Sequence, residues 1–132
     1  MIFVDSNIPM YLVGAPHRHK DDARRLLERF VAERIPLVTD AEVFQEILHR
    51  YVAIDRRDAI KPSFTVLPNL VDEVYSIQLS DNERASDLVL SKRKLSARDA
   101  IHVAVMERNS VKRILSFDSG FDSLSGLTRI SE

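Results

Sequence analysis

Four carboxylates stand where this chain could do chemistry. Asp5 follows the apolar run Ile2-Phe3-Val4 directly, and Asp118 lies just past Ile114-Leu115-Ser116. Glu46 sits inside an amphipathic stretch, and Asp99 heads another. Carboxylates gathered at one place repel, so without a cation at least one must keep its proton. A hard divalent cation such as Mg²⁺ or Mn²⁺ resolves the repulsion through oxygen ligands and retains waters, one of which becomes a nucleophile while the ion screens a phosphodiester. The 132 residues include no cysteine, which removes disulfides, thiolate metal sites and cysteine nucleophiles.

Each acid also has an ordinary explanation. Asp5 could cap a helix starting near Ile8, and Asp99, three residues after Ser96, suits a helix dipole. Asp118, followed by Ser119-Gly120, fits a turn, while Glu46, with Glu42 and Arg50 four residues to either side, fits a solvated helix face. Capping and solvation give no reason for all four to gather at the functional edge of a parallel sheet.

Whether they gather depends on the elements that carry them. Short β-rich runs alternate with longer stretches of helical period. Strands are expected at 2–4, 35–38, 74–79, 113–116 and 127–130. Helices are expected at 8–13, with Pro9 in the first turn, at 20–34, and from the capping-box pattern Thr39-Asp40-Ala41-Glu42 to about Tyr51. Two more follow Asp81-Asn82 and Ser96, and the segment 55–69, with Pro62 and Pro68, stays open between short helix and loop. The alternation implies a three-layer α/β/α sandwich with a central, mainly parallel sheet and its site at the carboxyl ends of the strands. Asp5 and Asp118 then share one edge, to which helices can bring Glu46 and Asp99.

One domain over residues 1–132 is expected, since the length and the 45% apolar content support a single core. Nineteen Lys and Arg against twenty Asp and Glu leave a formal net charge of -1, so any nucleic-acid surface must be a local patch. The start shows no basic leader with an apolar stretch and cleavage site, and no apolar run approaches the roughly 20 residues that span a bilayer. A soluble, cytoplasmic protein is therefore expected.

The residues resemble the PIN-domain ribonucleases, and within them the VapC-like toxins of toxin-antitoxin modules. Phe3-Val4-Asp5-Ser6-Asn7 is similar to the family's opening hydrophobic-Asp-Thr/Ser-Asn/Ser signature. TDAEVFQEIL at 39–48 resembles the second motif, with Glu46 as its acid, and LSARDAIHVAV at 95–105 resembles the third, with Asp99. ILSFDSGF at 114–121 resembles the fourth, with Ser116 where threonine is commoner, Asp118 as the acid and Phe121 packing behind it. The sequence departs from the pattern twice. Gly120 stands where a second acid is frequent, leaving Asp122 as a candidate additional acid, and His102 replaces a common aliphatic residue.

The resemblance implies a PIN-like fold and a Mg²⁺ or Mn²⁺ site formed by Asp5, Glu46, Asp99 and Asp118, with Ser6, Asn7 and Ser116 orienting the acids. It implies RNA cleavage by metal-activated water, leaving 5'-phosphate and 3'-hydroxyl ends. A cognate antitoxin that presents arginine or lysine to the acidic pocket, and a homodimer, are the implied partners.

Lys92, Arg93, Lys94 and Arg98 are candidate RNA contacts near Asp99, though the basic run also fits a solvated helix end. His17 and His19 are expected on a surface loop, and His49 is given no catalytic role. Two rivals stand beside the nuclease. A haloacid-dehalogenase-like phosphoryl-transfer enzyme also places an aspartate after its first strand, but it wants a second acid where this chain has Asn7. A catalytically silent PIN-fold module binding RNA or protein is the other, and retention of all four acids argues against it.

Overall fold

The computed structural model describes residues 1–132. Strands β1 (Ile2–Val4), β2 (Leu37–Asp40), β3 (Glu73–Tyr75), β4 (Arg113–Leu115) and β5 (Thr128–Ile130) form one sheet in the order β3-β2-β1-β4-β5, with every pairing parallel. Parallel strands covered on both faces must be apolar throughout. Accordingly Ile2, Phe3 and Val4 of the central strand are fully buried. Six helices complete the expected α/β sandwich: α1 (Asn7–Val13), α2 (Arg18–Ala32), α3 (Ala41–Ala53), α4 (Ile60–Leu70), α5 (Leu79–Ser91) and α6 (Ala97–Arg108). None of them is long and apolar enough to cross a membrane.

The strand order matters for function. From β1 the chain builds β2 and β3 on one side, then crosses to build β4 and β5 on the other. A crevice opens beyond the carboxyl ends of strands where this reversal happens. Asp5 and Ser116 leave β1 and β4 side by side there, joined by a hydrogen bond from the Asp5 amide to the Leu115 carbonyl at 3.1 Å.

Local chemistry moves three boundaries away from expectation. At α3 the cap is Asp40, the last residue of β2, whose Oδ1 accepts from the Val43 amide at 3.0 Å, while Thr39 before it donates its hydroxyl to the Val4 carbonyl at 2.8 Å. β3 stops at Tyr75 because Asp81 Oδ2 accepts from the Gln78 amide at 2.9 Å and starts α5 at Leu79. Arg108 from α6 holds that carboxylate at 2.9 and 3.0 Å. The open segment is helical: a 3-10 turn at Arg57–Ala59 leads into α4, with Pro62 in the first turn, where its missing N–H costs nothing.

Three helices end in a left-handed residue that is not glycine: Arg34 after α2, Asp55 after α3 and Ser110 after α6, at φ 55, 54 and 57°. Each is followed by an amide that reaches back to close the last turn, from Ile35 to Phe30 at 3.0 Å, Arg56 to Tyr51 at 2.8 Å and Val111 to Met106 at 2.9 Å. Glycine is the usual occupant of this position because a Cβ is strained there. Arg34→Gly, Asp55→Gly and Ser110→Gly are therefore each expected to stabilise the protein by about 0.5 kcal/mol, the relief of left-handed strain less glycine's extra unfolded-state entropy, measured by urea unfolding.

Candidate functional site

Asp5 is the most confined of the four acids, with only 3% of its surface exposed. Its Oδ1 accepts from the Ser6 amide at 2.8 Å and its Oδ2 from the Ser116 hydroxyl at 2.6 Å. The Ser116 oxygen in turn accepts from Asn7 Nδ2 at 3.2 Å and from the Asp118 amide at 3.0 Å. Asn7 Oδ1 accepts from the Phe117 amide at 3.4 Å. Helix α1 has no side-chain cap, so Asp5 is not spent on capping it. Asn7 works as an uncharged cross-link between the loops after β1 and β4, a role a second acid could not fill.

Glu46 arrives from α3. Its Oε2 accepts from the Ser6 hydroxyl at 3.0 Å, and its Oε1 faces His102 Nε2. Asp99 opens α6, where Ser96 caps the helix by accepting from the Asp99 amide at 3.2 Å, which leaves the Asp99 carboxyl free for the crevice. Asp118 is exposed, with Oδ1 accepting from the Gly120 amide at 2.9 Å. A Cβ added to Gly120 would lie 3.1 Å from Asp118 Oδ1 and 3.8 Å from Asp99 Oδ2, so both acids border one small space that this glycine keeps clear. Asp122 points elsewhere: Arg129 grips it at 2.8 and 2.9 Å and holds its carboxyl below the usual range.

The cost of this crowding shows in the proton affinities. Burial raises the Asp5 carboxyl and Glu46 adds to the rise, against the pull of His102 and Ser116. Burial, then the charges of Asp5 and Asp118, push Asp99 up to about 7. A site that holds more negative charge than it can ionise near neutrality fits a cation. The donors also suit one: carboxylate oxygens of Asp5 and Glu46 lie within 4.8 Å of each other, with Asp99 close enough to feel Asp5. Carboxylate oxygens dominate, as Mg²⁺ and Mn²⁺ prefer.

His102 is the site residue that the sequence reading passed over as a departure from a motif. It is wholly buried, one turn after Asp99, with Nδ1 2.8 Å from Asp40 Oδ2 and Nε2 against Glu46. Burial alone would lower its pKa; hydrogen bonds to Asp40 and Glu46 outweigh that and hold it well above the ordinary value. The signal in the sequence was its position between apolar neighbours on a helix face, where a buried imidazole needs partners for both nitrogens.

Among the candidate RNA contacts, Lys92, Arg93 and Lys94 are exposed in the link into α6. Arg98 sits with Nε 3.7 Å from Glu42 Oε1 and lines a groove of about 630 Å³ with Ser6, Asn7, Tyr11, Glu46, His49 and Arg50. His17 and His19 do not converge on a ligand: His17 Nδ1 accepts from the His19 amide at 3.0 Å, and both rings pack on Tyr11, His19 also on Phe117.

These affinities fix a pH dependence. Asp99 in the folded protein keeps a proton that the unfolded chain, near 3.8, has released, so its contribution to stability falls as pH rises from about 4 to about 7. Asp5 acts in the same sense, and so does His102, whose raised affinity stabilises at low pH and is lost on alkalinisation. Without divalent metal, Tm is expected to fall between pH 5 and pH 8. Asp99→Asn should flatten that slope and raise Tm at pH 8 by a few degrees, read by thermal melting.

A family model described as PIN domain matches residues 2–127. Ribonuclease VapC13 of Mycobacterium tuberculosis is 57% identical over 131 residues, which cover 99% of this chain and 100% of that protein. Among solved structures, M. tuberculosis VapC20, a toxin described as cleaving the sarcin-ricin loop, matches with TM-score 0.80 at 21% identity over the whole of both chains. A toxin-antitoxin complex from Klebsiella pneumoniae matches with TM-score 0.70 at 16% identity, covering 97% of this chain and 96% of the other. The two structural likenesses speak for the fold, and the sequence matches speak for descent. With a parallel sheet that reverses at β1 and four acids meeting at the reversal, the chain belongs to the PIN-domain family, among the VapC proteins.

Proposed function

We propose that this protein is an endoribonuclease that hydrolyses RNA phosphodiesters at the crevice formed by Asp5, Glu46, Asp99 and Asp118, using Mg²⁺ or Mn²⁺, as the toxin of a toxin-antitoxin pair. The observation that carries this reading is the gathering of acids at the topological reversal, crowded enough to raise Asp99 to about 7. Likeness to VapC ribonucleases supports RNA as the substrate.

A bound divalent ion would supply charge screening for the scissile phosphate and a lowered pKa for attacking water. The chain's own residues prepare for it. Ser116 and the Ser6 amide fix both oxygens of Asp5 in direction, and the Ser6 hydroxyl ties Glu46 to the same loop. His102, engaged on both nitrogens, is not available as a general base, so proton removal from water falls to the acid cluster.

The groove beside the acids suits a single strand. Arg50 and Arg98 can meet phosphates, while the Tyr11 ring offers a surface on which a base can stack. A protein partner fits the same region, since Met10, Tyr51 and Ile54 give the groove an apolar side, and a cationic antitoxin side chain would complement the acids. The Klebsiella complex supports an antitoxin partner, and the exposed apolar residues Leu48, Val52 and Ile54 on and just after α3 are compatible with an interface, including that of a homodimer.

Cleavage of a broad single-stranded RNA panel with Mn²⁺ tests the reading. Wild type is expected to cleave, and Asp5→Asn to lose at least a hundredfold in rate together with the rise in Tm that Mn²⁺ gives wild type. Equal cleavage by both would remove Asp5 from the chemistry, and a folded wild type that binds RNA without cutting it would favour the silent-module reading. Tyr11→Leu is expected to raise KM roughly tenfold for single-stranded RNA with little change in kcat, as loss of one stacking contact predicts.

A further inference from the structure

Helix α6 carries an acid and, one turn later, a residue that touches none of the solvent. His102 is fully buried, packed on the Phe3 ring at 5.3 Å between centroids. Its Nδ1 lies 2.8 Å from Asp40 Oδ2, and its Nε2 faces Glu46 Oε1. Each carboxylate is anchored by its other oxygen: Asp40 Oδ1 caps α3 through the Val43 amide at 3.0 Å, and Glu46 Oε2 accepts from the Ser6 hydroxyl at 3.0 Å. A continuous chain therefore runs from the head of α3 through Asp40, His102 and Glu46 to Ser6, the residue after Asp5.

Both imidazole nitrogens are thus taken up by carboxylates inside the protein, one on each side of the ring, and the side chain itself has no solvent exposure.

We propose that His102 is a positioning residue, a buried imidazole that bridges Asp40 and Glu46 and so locks Glu46 into its crevice-facing orientation without itself ligating the metal. The proposal rests on reading the crevice as a metal site. Glutamate has three side-chain torsions, and ordering them is costly on a helix whose nearest acids repel it outward. Ser6 alone fixes one oxygen; His102 fixes the other from inside the core, where no water competes for the bond.

Two measurements test this. In metal-free crystals the Glu46 carboxylate should keep its place beside Ser6 in wild type and lose it in His102→Leu; an unmoved Glu46 in the variant overturns the proposal. Mn²⁺ binding followed by electron paramagnetic resonance should then weaken 10- to 100-fold in His102→Leu, the range for residues that orient a metal ligand. His102→Gln, which keeps an amide donor toward Glu46, should recover most of that loss. Unchanged Mn²⁺ affinity in folded His102→Leu, judged by circular dichroism, overturns the brace, as does a ¹⁴N coupling to Mn²⁺ in wild type that disappears in His102→Leu, which would make the residue a ligand. A wild type that binds no Mn²⁺ defeats the metal-site reading instead, and the position of Glu46 in the metal-free variant still decides the brace.

Discussion

Bringing negative charge together in a partly dry crevice is the constraint around which the rest of this molecule is arranged. Water would solvate each carboxylate separately, but the fold removes that option for Asp5 and most of it for Asp99. Every neighbour then serves either to offset the charge or to hold it still. The Ser6 amide and the Ser116 hydroxyl point donors at Asp5, and the His102 imidazole lies behind Glu46. What these donors leave unbalanced appears as the high proton affinity of Asp99. Such residual imbalance in a native structure marks function, because a chain selected for stability alone would have replaced one of the acids.

The backbone meets this constraint with few parts. β1 supplies Asp5 and, by pairing with β4, brings in Ser116 and Asp118. α3 supplies Glu46 and is headed by Asp40, the last residue of β2, while α6 supplies both Asp99 and His102. Two helices thus deliver two acids and the brace between them, so their packing and the geometry of the crevice are one property. The Thr39 hydroxyl on the Val4 carbonyl, at 2.8 Å, ties β2 to β1 just before both strands release their functional loops.

Much of this was legible in the residues. Alternating β-rich and helical stretches led to the parallel sheet, and the apolar run before Asp5 located the edge, because a strand buried on both faces reads as an unbroken apolar run. The four acids came from motif spacing, and the structure brings them to one crevice. The hidden parts were the pairwise ones. The capping-box pattern points to Thr39 as the cap, but its hydroxyl is taken by the Val4 carbonyl and Asp40 caps the helix instead. Three helix ends carry no glycine to announce them. The early start of α5 depends on Arg108, 27 residues beyond Asp81. His102 was hidden for the same reason, since its meaning lies in Asp40 and Glu46, which stand 62 and 56 residues away.

The pairing of β1 with β4 also sets an order of events in synthesis. Asp5 leaves the ribosome well before the serine that fixes its second oxygen, which is 111 residues downstream. Until that stretch has been made and has docked beside β1, the chain holds Asp5 and Glu46 as separate, solvated groups, with one flank of its central strand open. Long-range strand pairing of this kind is slow to close. The crevice is therefore a product of late folding, and an unfinished chain can present the acids to the RNA-rich surroundings of its own translation without yet having assembled the site.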